Sequence, residues 1–268
     1  MSSYGTYDDI GVTLADHVAT IEIQRPPHNF FDLSLINQIA DALSALDKDK
    51  SCRASVLCAE GKAFCAGANF GSGKDLDENG QMKTQTDEER TRHLYMEAAR
   101  LFDCEKPIIG AIEGPAIGGG LGLAMVPDFR VTCTEARFAA NFTRLGFHPG
   151  FGLTETLPAI IGQQKANLMF YTSRRFKGDE AYAMGLADLL VAKEEVRGAA
   201  HALAAEIAEN SPLGVIETRA TVRRGLADRV RAATARELEI QSRLKATADF
   251  KEGVNAMSER RVPDFRGE

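Results

Sequence analysis

Residues 116 to 125 read AIGGGLGLAM, with Gly118, Gly119, Gly120 and Gly122 crowded ahead of an apolar, helix-like run. Glycine inside a regular element costs backbone entropy, so this cluster marks a place where the backbone must approach something closely. Two explanations of that closeness stand. Glycines at a strand-to-helix junction allow one element to pack tightly on another. They also leave the first amides of a helix unblocked, and those amides have no partner within the helix. A dinucleotide site is a poorer match, because GGGLG lacks GxGxxG spacing and no acidic residue ends the next strand of a βαβ unit. A second small turn, Ala66-Gly67-Ala68, follows a strand-like run at 54–60 and offers amides in the same way. Two amides converging on one oxygen form an oxyanion hole, where each donor is worth about 3 kcal/mol of transition-state stabilisation.

The chain that carries these turns has 268 residues, 44% hydrophobic and 26% charged, which suits one large domain or one domain with a small appendage. Its formal charge of -6 argues against nucleic-acid binding, so an anionic ligand must be held by local charge. No signal segment opens it, and no stretch approaches the roughly 18 uninterrupted apolar residues of a membrane span; the expectation is a soluble, cytoplasmic protein. Cys52, Cys58, Cys65, Cys104 and Cys133 are odd in number and lack CxxC spacing, which suggests neither a disulfide framework nor a zinc site. The five histidines are scattered without HExxH, so no metal is expected.

Alternation over 11–24 predicts two short strands joined at Ala15-Asp16, and apolar residues Leu35, Ile39, Leu43 and Leu46 predict a helix capped by Asp32 or Ser34. A strand follows at 54–60. Residues 71–91 are polar and poor in large apolar groups, which reads as a loop leading into an amphipathic helix that stops before Pro107. IIGAIEG reads as a buried strand, residues 129–142 as a strand pair, and 152–172 as a further helical unit. Strand, strand, helix thus recurs. From 193 onward the pattern is helical, with interruptions expected near Pro212, Gly225 and Gly253. The division expected is a core over 1–195 that holds the site and a helical region over 196–268 that packs on the body or on another subunit.

GKAFCAGANF (61–70), KPIIGAIEGPAIGGGLGLAM (106–125), DFRVTCTEARFA (128–139), LGFHPGFGLTETLPAIIG (145–162) and FKEGVNAMSERRVPDF (250–265) together resemble the crotonase, or enoyl-CoA hydratase/isomerase, superfamily over nearly the whole chain. The resemblance implies an α/β fold, a spiral of ββα repeats with a C-terminal helical trimerisation region, and a homotrimer or dimer of trimers. It implies an acyl-CoA thioester as substrate, coenzyme A being part of the substrate and no separate cofactor being needed. Carried over by motif, the carbonyl oxygen would meet the amides of Ala68 and Gly119. Ala66, Asn69, Phe70, Gly71, Gly118 and Phe142 would line the thioester path.

The departures from the family pattern bear on the chemistry. Hydratases of the family place one glutamate two residues after the third glycine, where this chain has Gly122. A second belongs where this chain has Phe142, and the common aspartate after GA is Asn69. Adding water needs one group to activate it and another to deliver a proton, and neither glycine nor phenylalanine does either. Candidate substitutes are His148, whose ordinary pKa of about 6.5 suits proton transfer, and Glu155 at the start of the next helix. Each also has a plain structural role, as a loop hydrogen-bonding group and a helix-terminal carboxylate. Glu113 and Asp32 read as structural groups, and Asn141 as a substrate contact or a bend former. Arg25 and Lys62 are candidate cations for the CoA phosphates, with Lys251 or Arg261 reaching in from the tail. The chemistries left open are double-bond isomerisation, decarboxylation, thioester hydrolysis, hydration by a rearranged set, CoA binding without catalysis, and carbon-carbon hydrolysis of a diketone.

Overall fold

The computed structural model describes residue 4, residues 6–68 and residues 94–268. Strands β1 (Ile10–Ala15) and β2 (Val18–Ile23) form an antiparallel hairpin in which Ala15 faces Val18 and Ile10 faces Ile23. β2 then pairs in parallel with β3 (Ala54–Ala59), β3 with β4 (Ile108–Ile112), β4 with β6 (Phe129–Thr132), and β6 with β9 (Leu189–Leu190). The order across this six-stranded sheet is β1-β2-β3-β4-β6-β9. Every residue of β3 and β4 is buried, as expected of parallel strands covered on both faces.

Helix α1 (Leu33–Lys48) covers one stretch of the sheet. Asp32 is its N-cap, accepting from the Leu35 amide at 3.0 Å, and Leu35, Ile36, Ile39, Leu43 and Leu46 are buried at helical spacing. The Lys106 ammonium closes the other end on the carbonyls of Leu46 and Asp49. Helix α2 (Leu94–Ala98) continues as a tight 3-10 turn over Ala99–Asp103, so the predicted amphipathic segment is two short pieces. A smaller three-stranded sheet, β5 (Pro115–Ile117), β7 (Arg137–Ala139) and β8 (Phe176–Lys177), lies beside helix α3 (Gly119–Ala124). Helices α4 (Leu153–Ile161), α5 (Gln163–Thr172) and α6 (Gly178–Met184) follow.

Four helices complete the chain: α7 (Val196–Ala208), α8 (Pro212–Val222), α9 (Leu226–Leu244) and α10 (Ala248–Ser258). α7 packs on β3, β4 and β6 through Val196, Ala200, Ala204 and Ala208, a four-residue-spaced stripe small enough to let the helix sit close to the sheet. The interruption expected at Gly253 does not occur. Gly253 lies inside α10 because a Cβ there would stand 2.5 Å from the Leu145 carbonyl carbon, so the residue serves helix-to-turn approach instead of helix termination. No described helix is long and apolar enough to cross a membrane.

α8 is tied to the body by a largely buried ionic knot. Arg219 donates through Nε to Asp128 at 2.9 Å, Arg223 meets the other carboxylate oxygen at 2.6 Å, and the same aspartate accepts from the Ile108 amide. Removing one partner of such a knot leaves charge stranded. Asp128→Asn is expected to lower unfolding free energy by about 3–5 kcal/mol, read by guanidinium denaturation.

Candidate active site

The two glycine-bearing turns are stitched together by backbone. The Cys65 amide donates to Pro115 O at 3.1 Å and the Ile117 amide returns to Cys65 O at 3.0 Å, a parallel bridge that joins the turn after β3 to β5. The Ala66 amide donates to His28 O, and Gly67 O accepts from the Phe31 amide. Gly67 takes φ +84°, and Gly118 takes φ +57°, both in the region that favours glycine. A Cβ on Gly67 would lie 3.7 Å from the Gly119 nitrogen, so the Ala66–Ala68 turn and the head of α3 are immediate neighbours. Among the described residues, neither the Ala68 nor the Gly119 amide donates to a backbone carbonyl. The close-packing explanation holds for Gly120, where a Cβ would stand 2.0 Å from Cys65 O. Gly118 is required by its backbone angle, so the cluster meets more than one demand.

Rings cover two other positions of α3. A Cβ on Gly119 would meet the Phe31 ring at 2.2 Å, and one on Gly122 would meet Phe151 Cβ at 2.5 Å. Phe31, Tyr95 and Phe151 are mutually edge-on, with centroids 5.7, 6.0 and 6.5 Å apart, and all three are buried. Phe142 is 2% exposed and approaches Gly118, while its ring stands edge-on to Phe147 at 5.5 Å. Asn141 Oδ1 lies 3.1 Å from the Cβ point of Gly118, which brings it to the turn. Position 122 therefore has no room for any side chain without moving Phe151, and position 142 holds an apolar ring.

Other singled-out residues are placed as follows. His148 donates through Nδ1 to Pro149 O, 2.8 Å away, and borders a cleft of about 360 Å³ that Thr143, Phe147, Thr154 and Tyr171 also line. Glu155 pairs with Arg229 of α9 at 2.7 Å. Glu113 pairs with Arg197, which also holds Glu22 and the Ala59 carbonyl. Arg25 is engaged by Asp9 and Asp32, and Lys62 is exposed on its turn. Arg261 is held by Glu252 and Glu259, and Lys251 is exposed. Asn69, Phe70 and Gly71 lie outside the described residues. Cys65 is wholly buried and its thiol is pushed up to about 12 by desolvation, so it carries no thiolate near neutrality.

Sequence reasoning missed a buried polar stripe on α9. Thr234, Glu237 and Gln241 are fully buried. Glu237 accepts from the Gly152 amide (2.7 Å), the Thr154 amide (2.9 Å) and the Thr154 hydroxyl (2.6 Å). Burial pushes its carboxyl up, against the lowering effect of those three donors. Gln241 donates to His148 O at 2.7 Å. The spacing Val230, Thr234, Glu237, Gln241 is one helix face, but polar residues on such a face read as solvent-facing until a partner loop is known.

Residues 13–268 match the family model described as enoyl-CoA hydratase/isomerase. The putative enoyl-CoA hydratase/isomerase YngF of Bacillus subtilis (strain 168) is 32% identical over 254 residues, covering 94% of this chain and 95% of that protein. The peroxisomal Delta(3,5)-Delta(2,4)-dienoyl-CoA isomerase of Arabidopsis thaliana is 30% identical over 273 residues, 99% of this chain and 98% of its own. A crystal structure of enoyl-CoA hydratase/isomerase from Pseudoalteromonas atlantica T6c superposes with a TM-score of 0.83 at 29% identity, covering 97% of this chain and 100% of that one.

Two outcomes follow from the packing. Gly122→Ala should cost about 1–3 kcal/mol in urea unfolding, because the added methyl forces Phe151 aside. Iodoacetamide at pH 8 should leave Cys65 unmodified in the folded protein and label it in urea, as read by peptide mass spectrometry.

Proposed function

The chain belongs to the enoyl-CoA hydratase/isomerase family, and from that premise we propose that it forms an enolate from an acyl-CoA thioester by losing a carboxylate, without the two hydratase glutamates. The thioester oxygen is held between the Ala68 and Gly119 amides. The observation that carries this is the pairing of two backbone turns beside an apolar ceiling: Gly67 abuts the Gly119 nitrogen, while Phe31, Phe151 and Phe142 occupy the space around α3.

The chemistry balances without a side-chain base. In an acyl thioester that carries a carboxylate on its α-carbon, as a malonyl thioester does, the bond from the α-carbon to that carboxylate breaks and CO2 leaves. The electron pair passes to the thioester carbonyl, whose oxygen becomes negative, and a proton from solvent later returns to the α-carbon. The step asks only for stabilisation of the oxyanion, which two amides supply at about 3 kcal/mol each. Hydration would in addition require an acid and a base at positions where the described structure holds Gly122 and a buried Phe142. The same absence favours one second reading, that the chain binds acyl-CoA without turning it over. Assembly as a homotrimer or dimer of trimers belongs to this proposal, and exposed Leu213 and Val222 on α8 are apolar surface that such an assembly could cover.

Incubation with enoyl-, malonyl- and β-ketoacyl-CoA, followed by mass spectrometry, tests the proposal. The expected product is acetyl-CoA from malonyl-CoA, with the enoyl-CoA left unhydrated. Hydration of the enoyl-CoA with malonyl-CoA untouched overturns it, and tight binding of the whole panel without turnover supports the non-catalytic reading. Ala68→Pro, which deletes one donor amide, should lower kcat by about 100- to 1000-fold. An unchanged rate would remove that amide from the mechanism.

A further inference from the structure

We infer that Phe151, locked in its turn by Glu237 from the C-terminal helical region, is the residue that limits the acyl group to a small, unbranched one. This rests on the acyl-CoA reading above and adds to it a substrate class and a positioning residue.

The geometry runs in one chain of contacts from α9 to the head of α3. Phe151 adopts φ +64°, a left-handed backbone that an aromatic residue takes only when its surroundings impose it. What imposes it lies on α9. Glu237 receives the amides on either side of Leu153, those of Gly152 and Thr154, together with the Thr154 hydroxyl. Four residues further along the same helix, Gln241 fixes the loop at His148 O. The backbone of 148–154 is therefore gripped both before and after Phe151.

The grip sets where the ring goes. Phe151 is 1% exposed and its Cβ stands 2.5 Å from the point a Gly122 Cβ would occupy. Its ring meets Phe31 edge-on at 5.7 Å, and Phe31 in turn lies on Gly119. An acyl group whose carbonyl sits at the Gly119 amide has this pair of rings beside its α- and β-carbons. Bulk there competes with rings that cannot swing away, because the turn beneath Phe151 is fixed by hydrogen bonds to a buried carboxylate. Glu237 touches no part of the ligand in this arrangement; it is a positioning residue.

Binding, rather than turnover, separates this inference from the proposed reaction. The probes are two CoA analogues in which a methylene replaces the thioester sulfur, one acetyl and one 2-ethylbutanoyl, titrated by calorimetry into the full-length protein. The unaltered protein should bind the acetyl analogue about 10-fold or more tighter than the branched one. Phe151→Ala should erase that preference, and Phe151→Leu should reduce it. Glu237→Gln keeps the ring but places an amide where two N–H donors need an acceptor, so it should shift the affinity ratio in the same direction. The double variant Phe151→Ala/Glu237→Gln should differ from Phe151→Ala by less than about 2-fold, since both act through one ring. A purely structural role for Glu237 would lower the melting temperature and leave the ratio unchanged, which overturns its part of the inference. If Glu237→Gln does not fold, the two Phe151 variants still decide the size limit. A preference that survives Phe151→Ala overturns the inference while leaving the acyl-CoA reading intact. Failure of the unaltered protein to bind either analogue overturns both.

Discussion

Two backbone hydrogen bonds, Cys65 to Pro115 and Ile117 to Cys65, hold the molecule's two glycine turns against each other, and the candidate site exists only while they do. They join the end of the long sheet to the start of the small one, so the site lies where two sheets meet and not within either. The residues around the stitch have been reduced to fit it. Gly120 clears Cys65 O, Gly67 clears Ile117 O, and Gly114 clears Lys62 O. A side chain at any of these points would push the turns apart before it affected chemistry.

Around that stitch the structure spends its polar groups on holding backbone and its apolar groups on filling the space above the amides. Glu237 and Gln241 grip the loop that carries Phe151, and Arg197 gathers Glu22, Glu113 and the Ala59 carbonyl. Glu155 is drawn to Arg229. Carboxylates that look available in the chain, Glu113 and Glu155, are thus occupied as ties, and the side chains over Gly119 and Gly122 are aromatic. Under the proposed reaction, charge develops on one oxygen and is met by fixed N–H dipoles, and an oriented donor in apolar surroundings is worth more than the same donor in solvent.

The helical region is an integral support for the site. α7 lies directly on β3, β4 and β6 through its alanine stripe, α8 is locked to the body by Asp128, and α9 presents its buried polar face to 148–154. Family membership fits this arrangement, since the match extends from residue 13 to the last residue and the fold superposes over nearly the full chain.

The sequence by itself determined the local grammar: the hairpin over Ile10–Ile23, the Asp32 cap of α1, the buried parallel strands, and the two small-residue turns, all set by patterns within a few residues of each other. It also carried the family, through motifs in order along the chain. Tertiary structure alone decided which glycine was needed for which purpose, because that depends on atoms far away in sequence, such as Cys65 O over Gly120, Phe151 over Gly122 and Leu145 under Gly253. It decided the fate of Glu237 as well. A glutamate on an amphipathic helix looks solvated in one dimension, and only the fold brings the Gly152 and Thr154 amides, more than eighty residues earlier, to a fully buried carboxylate.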